Sequence, residues 1–283
     1  MSSVGFIGLG IMGEGMAARL LTQSITGTTD SPLYIWNRTA SKCTDFKEKY
    51  STHNIIIKDT AKEVVEHSSI TYCMLSTPEA SKAVFEAEDG VLAGVSDGKS
   101  IVDCATLAES DMVRMNEAVL NKGGNFLEAP VSGSKAPAAN GQLIFLCAGS
   151  KSLFDDIVEN GLNVMGKASH FFSETVGFGT RAKLVVNSLM GTMVAAFSEA
   201  LALAENTGLD PNKMIEVIGQ GAIQVCINKV YWFYWFDIVL CHTMNIHLMV
   251  SILFISIESS VCIERTKNGC SRPCTKLPFE ACT

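Results

Sequence analysis

The sequence is short of charge and of proline: charged residues make up 18% of 283, and there are 7 prolines. Little charge beside 47% hydrophobic residues excludes a disordered chain and allows a sizeable core. The charge present sums to −7, which excludes a basic nucleic-acid surface. An anionic ligand would therefore need a local positive site. Histidine is scarce too. His53, His67, His170, His242 and His247 are scattered without metal-ligand spacing, and Cys270 and Cys274 lack a convincing second pair, so no metal is expected. No Gly-x-Ser-x-Gly stretch is present, which excludes a nucleophile elbow. Of ten cysteines only Cys43, Cys73, Cys104 and Cys147 precede residue 225, in strand and helix patterns rather than a disulfide framework. Reduced thiols and a cytoplasmic location are the expectation, or an organelle matrix if an upstream exon is missing. Val4–Ile7 already reads as a strand, leaving no room for a cleaved leader.

What is present is an alternation of short apolar runs and amphipathic stretches. Strands are expected at Val4–Ile7, Leu33–Trp36, Ile55–Ile57, Ile70–Met74, Ser100–Asp103, Asn125–Glu128 and Leu143–Ala148. Helices are expected at Gly13–Gln23, Ser41–Lys49, Glu79–Phe85 and Glu109–Lys122. Continuously apolar strands between helices imply a parallel, doubly wound α/β sheet. After Lys151 the pattern reads as helical. Thr180–Thr207 is apolar nearly all round, which predicts a buried helix. Gly208 is a stop signal and Asp210-Pro211 a new start. These features place a first domain at 1–165 and an all-α one at 166–224.

The strongest local motif is Gly8-Leu9-Gly10-Ile11-Met12-Gly13, directly after the first strand and opening a helix. Gly8 permits the tight turn, Gly10 lets backbone approach a pyrophosphate, and Gly13 lets helix and strand pack closely. The helix start offers free N–H groups and a positive dipole end to phosphate. That context favours a Rossmann dinucleotide site over an empty glycine turn. The second strand ends in Asn37-Arg38-Thr39, where an NAD site would carry a carboxylate for the ribose hydroxyl. Arg38 suits a 2′-phosphate instead, so NADP is expected, with NAD as the alternative.

Weaker candidates lie at other strand ends. Leu75 and Pro78 follow the fourth strand, and Thr106 follows the fifth, where ligands of open α/β sheets bind. Plain turns explain them nearly as well. Ser132-Gly133-Ser134 supplies hydroxyls and successive N–H groups, enough for a carboxylate cradle. Lys183 sits within the first turn of the expected apolar helix, with Asn187 four residues on and on the same face. Dipole and burial would both lower its pKa, suiting it to exchange a proton with a carbonyl oxygen. A lysine snorkelling to solvent is the competing reading.

The ordered series of motifs resembles the β-hydroxyacid dehydrogenase family over residues 4–224. This family includes 3-hydroxyisobutyrate dehydrogenases and glyoxylate/succinic semialdehyde reductases. Gly5–Gly13 resembles its cofactor signature, Glu128–Ser134 its substrate segment, and Gly177-Phe178-Gly179 with Lys183 and Asn187 its catalytic segment. Asn37-Arg38-Thr39, Ser134–Ala138 and Gly141-Gln142-Leu143 are most similar to the glyoxylate reductase branch. The resemblance implies Lys183 as proton donor, Asn187 as a substrate-orienting residue, and Ser132, Gly133 and Ser134 as holders of a substrate carboxylate. It implies a cofactor held by Gly8, Gly10, Ile11, Met12, Gly13, Asn37, Arg38 and Thr39, to which the strand-end candidates Leu75, Pro78 and Thr106 are added.

Residues 225–283 depart from the family, which implies that the all-α domain at 166–224 is truncated. Val225–Phe236 is crowded with aromatics, Ile238–Ile257 is an apolar run holding His242, Asn245 and His247, and Cys270–Thr283 is polar and aperiodic. A translated intron with a shifted frame accounts for this tail, and a membrane anchor is the other reading. Three functions follow: a reductase of a short aldehyde acid or a dehydrogenase of a 3-hydroxy acid; a cofactor-binding protein without turnover, for want of a complete helical domain; or a membrane-tethered enzyme. A small carboxylate-bearing substrate is the expected partner. The family's homo-oligomer is in question here because the tail departs.

Overall fold

The structure is a computed structural model describing residues 3–23, 26–27 and 31–221. The aromatic, apolar and Cys-rich stretches beyond residue 224 lie outside the described residues. Two compact units are present, Met1–Lys183 and Leu184–Thr283.

The first unit is built on strands β1 (Val4–Ile7), β2 (Leu33–Trp36), β3 (Ile55–Ile57), β4 (Ile70–Cys73), β5 (Ser100–Asp103), β6 (Asn125–Glu128), β7 (Val131–Ser132), β8 (Leu143–Gly149) and β9 (Gly166–Ser173). Their order in the sheet is β3-β2-β1-β4-β5-β6-β8-β7, with β9 beside β8. The first six strands are parallel. β8 runs antiparallel to β6 and β7, and β9 runs parallel to β8. The chain order reverses at β1, which lies between β2 and β4.

The helices are α1 (Gly13–Gln23), α2 (Ala40–Lys49), α3 (Ala61–His67), α4 (Pro78–Glu86), α5 (Val91–Gly94), α6 (Glu109–Leu120), α7 (Lys135–Ala139), α8 (Lys151–Ile157), α9 (Asn163–Met165), α10 (Phe178–Asn206) and α11 (Pro211–Gln220). Successive strand side chains face opposite ways, so each central strand feeds two cores. Phe6, Tyr72, Val102 and Leu127 pack with Met16 and Leu20 of α1, Phe46 of α2 and Ile157 of α8. Their neighbours Ile7, Cys73, Ile101 and Phe126 pack with Val64 of α3, Phe85 of α4, and Met112 and Met115 of α6. The sheet is thus covered on both faces, as continuous apolar strands require.

Two sequence expectations are corrected. The region after Lys151 is not purely helical: Gly166–Ser173 is the strand β9, an edge whose residues alternate between half-buried and exposed and so carry no apolar run. The helix α10 is also not buried all round: Val185, Leu189 and Leu203 are 71%, 63% and 65% exposed. Apolarity on every side calls for partners on every side, and among the described residues of the second unit only α11 packs on it, through Met214, Ile215 and Ile218 against Phe197 and Leu201. The turn between these helices follows the expected chemistry. Gly208 has φ +81°, and the Asp210 carboxylate accepts from Asn212 N–H at 2.9 Å ahead of Pro211.

Candidate active site

One row of backbone partners aligns the carboxyl ends of the parallel strands: Trp36, Ile7, Cys73, Asp103 and Glu128 are neighbours in sequence of strands β2, β1, β4, β5 and β6. Every loop that leaves this row opens at the same edge of the sheet, where ligands of doubly wound folds bind. β1 stands at the switch point, and the glycine turn follows it.

That turn is held from both sides. Gly8 has φ +99°, and its N–H donates to the Trp36 carbonyl at 3.0 Å. A Cβ on Gly8 would overlap the Met74 carbonyl oxygen, and one on Gly13 would overlap the Gly8 carbonyl oxygen. A Cβ on Gly10 would meet nothing within 4 Å. The tight turn and the close helix–strand approach are thus internal needs, while Gly10 borders open space. The N–H groups of Gly10, Ile11 and Met12 have no backbone partner among the described residues, so they remain to bind phosphate oxygens. The turn fits a dinucleotide pyrophosphate.

The Asn37 side chain also braces the turn. Its Oδ1 accepts from Leu9 N–H at 2.9 Å and its Nδ2 donates to the Thr39 carbonyl at 3.0 Å. It ties the end of β2 to the glycine turn. Arg38 beside it is exposed and makes no ion pair among the described residues. Thr39 is the exposed N-cap of α2 and makes no side-chain cap bond. Leu75 is half-buried and packs against the core, Pro78 occupies the first turn of α4, and Thr106 is exposed after β5.

Ser132 lies half-buried in β7, Gly133 has φ +150°, and Ser134 is the exposed N-cap of α7 without a side-chain cap bond. No hydrogen bond among the described residues joins their side chains to the strand-end row. Lys183 is 6% exposed, and burial pushes its ammonium below the ordinary lysine range. It stands in the second turn rather than the first, because α10 starts at Phe178, two residues before the expected start. Asn187 follows it by four residues on the same helix and belongs to the second unit.

Two acids had no role of their own in the sequence reading, although Glu128 opens the segment Glu128–Ser134. Asp103 and Glu128, which face each other in register, are both fully buried. Glu128 Oε1 accepts from Gly177 N–H at 2.6 Å and Gly179 N–H at 2.8 Å, and Oε2 accepts from the Thr180 hydroxyl at 3.0 Å. Burial raises its pKa above the usual carboxylate range although these bonds pull it down. Burial pushes Asp103 up to about 7, the Ala105 N–H opposes this, and the charge of Glu128 adds to it. One Asp103 oxygen, Oδ2, has no hydrogen-bond partner. The signal that could have found them is a carboxylate closing a strand whose other residues are apolar.

Comparison with known proteins agrees with this geometry. Residues 3–177 match the family profile described as the NAD binding domain of 6-phosphogluconate dehydrogenase, which is well over half of the chain. Residues 177–229 match the profile for the NAD-binding region of NADP-dependent 3-hydroxyisobutyrate dehydrogenase. Glyoxylate/succinic semialdehyde reductase 1 of Arabidopsis thaliana is 40% identical over 220 residues, 78% of this chain and 72% of that one. The chloroplastic reductase 2 of the same plant is 41% identical over 221 residues, 78% of this chain and 58% of that one. Among solved structures, Mycobacterium tuberculosis 3-hydroxyisobutyrate dehydrogenase has a TM-score of 0.66 at 25% identity, covering 79% of this chain and 72% of its own. The sequence matches, the doubly wound sheet and the glycine turn agree: the chain belongs to the β-hydroxyacid dehydrogenase family of NAD(P)-dependent oxidoreductases acting on the CH–OH group.

Proposed function

We propose that this chain reduces a short aldehyde acid, glyoxylate or succinic semialdehyde, with NADPH. The reverse oxidation of a small hydroxy acid uses the same groups. The observation that carries the reading is Lys183: a lysine 6% exposed, its pKa lowered by burial, on a helix whose start is bonded to the end of β6. A buried ammonium is costly, and a helix that retains one has a use for its proton. The reductases at 40% and 41% identity support the choice of substrate.

The nicotinamide supplies the hydride when bound. The residues of the chain do the rest. The turn Gly8–Gly13 and the start of α1 hold the pyrophosphate with backbone N–H groups. Arg38 meets a 2′-phosphate, the reason for preferring NADPH. Ser132, Gly133 and Ser134 hold the substrate carboxylate, with Asn187 orienting it. Lys183 donates a proton to the carbonyl oxygen as negative charge develops there.

Purified full-length chain mixed with NADPH and glyoxylate, or succinic semialdehyde, should oxidise the cofactor. Lys183→Ala should lower kcat by about 10²–10⁴-fold while leaving NADPH affinity intact. A Lys183→Ala variant as fast as the wild type would end the proposal.

A further inference from the structure

We propose that Glu128 is a positioning residue for Lys183: it caps the start of α10 and so ties the proton-donating helix to the same strand end that leads into the substrate turn. This rests on the functional reading above. The backbone N–H groups of a helix start are unpaired unless something outside the helix accepts them. Here one carboxylate takes Gly177 N–H and Gly179 N–H on one oxygen and the Thr180 hydroxyl on the other. The cap is therefore made by a residue 49 to 52 positions upstream, on a different element. A carboxylate there also meets the positive end of the helix dipole.

Two further observations show how tightly that start is held. The cap is close enough to exclude side chains: a Cβ on Gly179 would lie 3.2 Å from Glu128 Cδ and overlap the Leu146 carbonyl oxygen. Gly177 has φ +108°, and a Cβ there would lie 2.8 Å from Glu109 Cγ. Glu109, in the first turn of α6, also grips the first turn of α10, accepting from Arg181 Nε at 2.9 Å and Nη2 at 2.6 Å. The Gly-Phe-Gly sequence is thus the footprint of two carboxylates.

Thr180 and Lys183 are three residues apart, so they share a face of α10, and both are buried. Fixing Thr180 fixes where the lysine stem leaves the helix. Glu128 also precedes Ser132 by only four residues, across Ala129 and Pro130. A single side chain therefore sets the spacing between the group that gives the proton and the turn that holds the substrate. Its hydrogen bonds go to Gly177, Gly179 and Thr180, so it acts through the helix start.

The test uses the full chain, NADPH and glyoxylate. Glu128→Gln keeps a carbonyl oxygen for the two glycine N–H groups, and Glu128→Ala keeps nothing. Glu128→Ala should lower kcat by about 10²-fold with KM for NADPH within about two-fold, and Glu128→Gln should recover to within about ten-fold of wild type. A folded Glu128→Ala with wild-type kcat, a KM for NADPH that rises in step with the loss, or a Gln variant no better than Ala overturns the proposal. If Glu128→Ala does not fold, Thr180→Val decides, since it removes one donor and leaves the carboxylate. Lowered kcat at unchanged KM supports the cap, and unchanged kcat overturns it. If the wild type does not turn over, the functional reading fails by itself, and the cap is judged without substrate. After reductive ¹³C-methylation, the Lys183 NMR signal, assigned by its loss from Lys183→Arg, should move in Thr180→Val. A signal that stays in place overturns the proposal.

Discussion

Asp103 and Lys183 show opposite charges under the same pressure, since burial disfavours the ionised form of each. For Asp103 the consequence for stability has a definite sign. Its carboxyl binds a proton in the folded chain up to about pH 7, whereas an exposed aspartate releases it near 3.8. Between those values the folded state holds more protons than the unfolded one, so stability falls as pH rises, and the deficit is complete above pH 7. Asp103→Asn should therefore melt higher than wild type at pH 8, by about 1–3 kcal/mol after the cost of an unpaired amide, and no higher at pH 4. Thermal melts at both pH values check this; equal differences at both would refute it. The role of these acids was hidden in the sequence because a glutamate or aspartate at a strand end looks like any charge flanking a loop. The basic residues gave a signal that singles them out. Arg38 stands where a carboxylate was missing, and Lys183 interrupts an apolar run.

Among the elements, legibility followed burial. β1, β2, β3, β5 and β6 span the residues expected of them, because each is centred on buried apolar side chains such as Phe6, Leu33, Ile55, Val102 and Leu127. β9 was lost because its edge position leaves residues such as Phe172 exposed and gives no run to see. β7 has two residues and no pattern at all. For α10 the apolar composition was legible but the exposure was not. By length and composition this helix would also cross a bilayer, yet its first turns are bonded to Glu128 and Glu109 of the sheet unit. The glycines at that junction carry a test. Gly179→Ala would drive a methyl into the Leu146 carbonyl and against Glu128, and backbone on that side cannot yield cheaply. It should destabilise the chain by about 1–3 kcal/mol, read as a lower urea midpoint at unchanged slope. A midpoint equal to wild type would show that the junction is looser than described.

At the scale of the whole molecule the two units differ in what holds them. The first has two extended cores, one on each face of the sheet. Among its described residues the second has a cluster of Phe197 and Leu201 with three side chains of α11. Local opening is easiest where few apolar contacts are lost. Limited proteolysis within the described residues should therefore cut first at the exposed turn around Thr207–Leu209, leaving a resistant fragment that contains residues 3–183 and still binds NADPH. First cuts inside the sheet unit would contradict this.

The rate of NADPH oxidation with glyoxylate as a function of pH reaches the central claim most directly. If the buried Lys183 ammonium is the proton donor, kcat is flat at neutral pH and falls at alkaline pH through an apparent pKa below the 10.5 of an ordinary lysine. In Lys183→Ala that limb disappears along with most of the rate. A limb of the same position in the variant, or a rate that ignores its loss, would contradict the account.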